Sequence, residues 1–160
     1  MNFGIKGEGR VILREQDGTE VSDTGWVTNT ITDNSLVLLL ATGTIRGGRA
    51  NLFIHQNTNP GRVFCNLLHN TYLNQTPSQV RAPDTVVSDT NTNISTFTVQ
   101  YPVPAVARNI NIVGLTNNIT IDINAKAVIG ILAYTRLTTT VTQSTSQTAD
   151  VQYRITWSFP

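Results

Sequence analysis

The chain has 160 residues, 13% of them charged, with 11 Lys and Arg against 10 Asp and Glu. Its 25 Thr, 16 Asn and 8 Ser supply the wet surface that charged residues, about a quarter of an average domain, usually supply. This length suits one domain over residues 1–160; the near-neutral balance lacks the basic footprint of a nucleic-acid binder, and no apolar run nears the roughly 18 residues of a membrane span.

The single cysteine excludes an internal disulfide, and Met1-Asn2-Phe3-Gly4 leads into no apolar run of the kind a secretory leader carries. Val, Ile and Thr are abundant and all β-branched, whereas strong helix formers are few, with two Lys and three Glu. Branched side chains lose rotamer freedom in a helix and pack well on a pleated surface, so composition alone argues for a mostly-β domain.

Gly9–Val27 is the first unit. Val11 and Leu13 alternate with Arg10, Ile12 and Arg14. Gln16-Asp17-Gly18 supplies a hairpin turn, and Thr19, Val21 and Asp23 lead back to Trp26. Asp33 is a candidate N-cap for one short helix over Asn34–Ala41, where Leu36, Leu39 and Leu40 recur at helical spacing; a buried strand is the competing reading. Gly43, Gly47 and Gly48 break the chain, Asn51–Ile54 reads as a short strand, and Asn57–Arg62 as a turn. From Val63 to about Val87 the pattern is poor and suggests a long loop with one irregular strand.

Beyond the Asn91–Asn93 turn, Phe97, Val99 and Tyr101 share one face of a strand and Thr96, Thr98 and Gln100 the other. Pro102 and Pro104 end it. Ile110, Ile112 and Gly114 continue on a strand ending at Asn117-Asn118, and Ile119, Ile121 and Ile123 line the next. Val128–Leu137 is apolar enough for a central strand. The Thr-rich run to Thr148 reads as an exposed strand end and a long hairpin tip. In the last strand Val151, Tyr153, Ile155, Trp157 and Phe159 alternate with Asp150, Gln152, Arg154, Thr156 and Ser158, and a one-residue slip would expose every aromatic. Seven or more short-turned strands predict an all-β fold: an antiparallel β-sandwich, jelly-roll-like, with one short helix.

Candidate chemistry is sparse. His55, Cys65 and His69 fall short of a zinc set, which needs three or four closely spaced ligands, and the apolar neighbours of Cys65 favour an inert thiol over a nucleophile. Glu8, Glu15, Asp17, Glu20 and Asp23 cluster on or beside the first hairpin, where charges more often face solvent or guard an edge than converge for acid–base work. Gly43–Arg49, with Arg46 and Arg49, lacks the Lys-Ser/Thr ending of a phosphate loop. Asn74, Asn93 and Asn118 open glycosylation sequons that chance explains in so Asn- and Thr-rich a chain. Tyr153 and Trp157 lie on the apolar face of the last strand. Trp26, closing the hairpin, is therefore the candidate ligand contact, with a sugar ring the ligand it would suit. No catalytic residue, metal or cofactor is expected.

The stretch from Gly9 through Asp17-Gly18 to Thr24-Gly25-Trp26-Val27-Thr28-Asn29-Thr30-Ile31-Thr32-Asp33 resembles the opening of small virion structural proteins of tailed bacteriophages. Phe97-Thr98-Val99 with Ala107–Leu115 resembles their middle, and Tyr134–Leu137 with Val151–Trp157 their end. The 51–90 region departs from that pattern. The resemblance implies a non-enzymatic subunit of the virion, made in the host cytoplasm. It would assemble in the tail or neck with copies of itself and other virion proteins, and with neither nucleic acid nor membrane. The alternatives are a capsid decoration protein, or a carbohydrate- or host-receptor-binding module recognising a host surface glycan.

Overall fold

The computed structural model describes residues 4–28, 30–31, 51–56, 64–67, 70–73, 79–123 and 126–158. They form thirteen strands: β1 (Gly4–Glu15), β2 (Glu20–Asp23), β3 (Val27–Thr28), β4 (Thr30–Ile31), β5 (Asn51–His55), β6 (Phe64–Leu67), β7 (Asn70–Leu73), β8 (Gln79–Arg81), β9 (Thr85–Asp89), β10 (Ile94–Tyr101), β11 (Arg108–Ile123), β12 (Lys126–Gln143) and β13 (Gln147–Ser158). The all-β expectation holds. No helix occurs among the described residues, and the expected helix over 34–41 lies outside them.

The strands make two antiparallel sheets. In the first the order is β2-β1-β13-β10-β9, with β3 also on β1; in the second it is β6-β7-β12-β11-β5-β8, with β4 also on β12. β13, the strand with the cleanest alternation, is central in its sheet: Tyr153 lies opposite Gly9 on one side and Phe97 on the other. Val151, Tyr153 and Ile155 meet Val11, Leu13, Phe97, Val99 and Tyr101, and these pack on Leu52, Ile54, Ile110, Val113 and Leu115 of the second sheet as one buried core. At about 1.5–3 kcal/mol per fully buried large side chain, this shared interior is what holds the sheets together.

Two features fix how the sheets meet. Gly9 faces the core, and a Cβ there would stand 2.8 Å from Val113 Cγ2 and 3.0 Å from Thr135 Oγ1, so the missing side chain sets the close approach. The Tyr101 hydroxyl donates to the Leu52 carbonyl at 2.9 Å, a buried tie from one sheet to the other. Burial pushes the Tyr101 phenol well above its usual range.

The Asp17-Gly18 hairpin forms as expected. Gly18 has φ +89°, its N–H donates to the Glu15 carbonyl at 2.9 Å, and Asp17 accepts the Thr19 N–H at 2.9 Å. The ladder then shifts between Leu13 and Arg14, a bulge that leaves Val21 exposed. Two expectations need correcting. The Val63–Val87 region contains β6, β7, β8 and the start of β9 instead of one long loop, because strands of three to five residues are too short to display a period. Asn117-Asn118 does not end a strand either: β11 runs through to Ile123, and its ladder with β12 is irregular between Thr116 and Thr120.

Candidate functional site

On β1, Val11 and Leu13 turn into the core, so Lys6, Glu8, Arg10, Ile12 and Arg14 turn outward. Register aligns them with the outward residues of β13: Lys6 with Thr156, Glu8 with Arg154, Arg10 with Gln152, Ile12 with Asp150 and Arg14 with Thr148. Thr96, Thr98 and Gln100 of β10 continue the face on the far side of β13. The period-2 alternation thus gathers charges far apart in sequence into a cross-strand array.

The array is paired. Glu8 Oε2 accepts from Arg154 Nε at 2.6 Å, and Lys6 Nζ lies 2.9 Å from Glu8 Oε1. Arg10 grips Asp23 with two bonds, Nε donating to Oδ1 at 2.9 Å. Arg14 Nε donates to Asp150 Oδ2 at 2.7 Å and its guanidinium stands 3.7 Å from Glu20, while Gln100 donates to Asp150 Oδ1 at 2.9 Å. Four cations thus face four anions. Glu8 is only 6% exposed, yet its carboxyl lies below the usual range because the Arg154 hydrogen bond outweighs burial. Asp23 is lowered by Arg10 in the same way, and Arg10 is raised by Asp23. Ile12 is 4% exposed in the middle of this charged face, with Asp150 opposite it on one side and Asp23 on the other.

Trp26, the candidate ligand contact, follows Gly25 at φ +66° between β2 and β3 and is half-buried. The Arg154 guanidinium carbon lies 4.1 Å from its ring centre and that of Arg10 5.7 Å away, so the indole is held by two of the three arginines of the array. Sequence reasoning singled out Trp26 but missed the arginines. The alternation of β13 carried the signal for Arg154, since it assigns every even residue to the polar face.

The other candidates are not brought together. His55 is buried on β5 beside Ile112 of β11. The Cys65 side chain, His69, Asn74 and the 43–49 segment lie outside the described residues; among the described residues no three His, Cys, Asp or Glu side chains converge as metal ligands. The hairpin acids do not converge on a cleft: Glu8 and Asp23 pair with arginines, Glu20 stands by Arg14, Glu15 accepts from Gln147 at 3.0 Å, and Asp17 holds its own turn. Glu8 is buried, contrary to the solvent-facing expectation. Tyr153 is fully buried and Trp157 packs at the margin of the core, as expected.

Comparison with protein-family profiles, with curated proteins and with solved structures finds no match.

Proposed function

We propose that the chain is a non-enzymatic structural subunit of a tailed-bacteriophage virion, placed in the tail or neck and acting through interfaces with its own copies and with other virion proteins. The finer architecture proposed with it is a β-sandwich of jelly-roll-like path. One observation carries the reading. The three stretches that resemble phage structural proteins, separated by tens of residues, are hydrogen-bonded neighbours: Gly9–Trp26 supplies β1 and β2, Phe97 lies in β10 beside β13, and Thr30-Ile31 pairs with Tyr134 and Ala133. The self-neutralised charge array adds support, because a neighbour can cover it without stripping water from unpaired ions, which is costly.

Size-exclusion chromatography with light scattering at micromolar concentration tests the proposal. The expected result is a multiple of the 17.5 kDa chain mass. A monomer at every concentration that also fails to bind purified particles would count decisively against it.

A carbohydrate- or receptor-binding module is the second reading, favoured by Trp26 alone: an indole held by guanidinium groups is pre-set in orientation, as a sugar platform requires. Glycan-array binding that Trp26→Ala abolishes would support it. A capsid decoration role predicts the same oligomer but attachment to tailless heads.

A further inference from the structure

β9 ends the first sheet, and no described strand pairs with its other side. An open edge invites strand addition, and proteins usually blunt one with Lys, Pro, a bulge or brevity. Two of the other described edges, β2 and β8, are blunted in this way. β2 carries the bulge and the acids Glu20 and Asp23, and β8 is three residues long and runs into Ala82-Pro83. β9 has no such guard: five successive residues pair with β10 without a register shift, from Thr85 opposite Thr98 to Asp89 opposite Ile94. Thr85, Val86 and Val87 are β-branched, and Val87 is 62% exposed.

The two ends of this edge are acidic, while the Arg81 guanidinium nearby donates to the Gln100 carbonyl at 2.8 Å. Asp84 immediately precedes β9 and Asp89 ends it. Asp84 accepts the Gln100 N–H, and Asp89 accepts from the Asn91 N–H and the Thr92 hydroxyl. Among the described residues, neither carboxylate is in an ion pair, unlike the anions of the array.

We propose that the open edge of β9 docks an extended segment of a partner protein as an added antiparallel strand, with Lys or Arg at both ends of that segment to meet Asp84 and Asp89 and an apolar side chain to cover Val87. This deepens the assembly reading above and rests on it for its biological setting. A second β9 is a poorer occupant, because it brings its own Asp84 and Asp89 to an edge that already carries these two acids.

The test titrates the full chain into a fluorescein-labelled Lys-Thr-Val-Thr-Thr-Lys peptide, whose lysines have the spacing of Asp89 and Asp84 and whose valine falls opposite Val87, and into the same peptide ended by Glu, followed by anisotropy. The lysine-ended peptide is expected to bind saturably and about tenfold tighter than the glutamate-ended one, with the difference shrinking at about 0.5 M salt. Val87→Lys, and Asp84→Asn with Asp89→Asn, should each weaken it about fivefold or more. Asn keeps an acceptor oxygen, and unchanged circular dichroism and melting would show the fold intact. Amide exchange should slow at residues 85–89 on binding. Equal binding of both peptides, no saturation, or protection confined to another strand overturns the proposal. So does a wild-type oligomer that Val87→Lys makes monomeric, since the occupant would then be a second copy. Particle association measured separately keeps this outcome distinct from failure of the virion reading.

Discussion

Glu8 is a carboxylate nearly closed off from water and held by Arg154 and Lys6. Removing one member of such a pair leaves the other unsatisfied, so Glu8→Ala should cost about 1–3 kcal/mol in urea denaturation, more than loss of an exposed surface pair. The acid response follows from the same contacts. Glu8 and Asp23 have folded pKa values depressed by their arginines, so the unfolded chain takes up protons first as pH falls. Their contribution is complete above the ordinary carboxylate range of about 4–4.5 and is lost as pH drops through the lowered folded values. Stability measured from pH 7 downward should therefore fall below that range, and Glu8→Gln should flatten the slope. An unchanged slope would remove Glu8 from the account. Trp26→Ala should destabilise by about 1 kcal/mol through lost guanidinium contacts, read as a lower melting temperature.

Among the elements, β13 and β10 were the most legible in sequence, because each buries one face and wets the other, so the period-2 pattern survives intact. β1 was harder, since Ile12 breaks the polar face and is buried there by its neighbours. The strands between 64 and 81 were illegible, being too short for a period to register. The Asp17-Gly18 turn was readable because it rests on backbone geometry: only glycine takes φ +89° without strain, and Gly18→Ala should cost about 1 kcal/mol. The Arg10, Arg154 and Trp26 cluster was half legible. Alternation assigns the face, but pairing a residue near 10 with one near 154 requires the register, which no local pattern encodes.

At the scale of the molecule, two sheets meet where Gly9 has no side chain. Gly9→Ala should destabilise by about 1–3 kcal/mol through overpacking against Val113 and Thr135, and Val113→Ala in the same chain should recover part of that loss. A simple sum of the two single costs would mean that the sheets do not meet at this point. The assembled body has one face whose ions answer one another and one edge whose ions do not, a division of labour suited to a building block. The most direct measurement is quantitative mass spectrometry of gradient-purified particles from cells carrying the gene. The account predicts that this chain co-migrates with the particles at a fixed stoichiometry to their other proteins. Its recovery only from the soluble fraction, with none in the particles, would contradict the account.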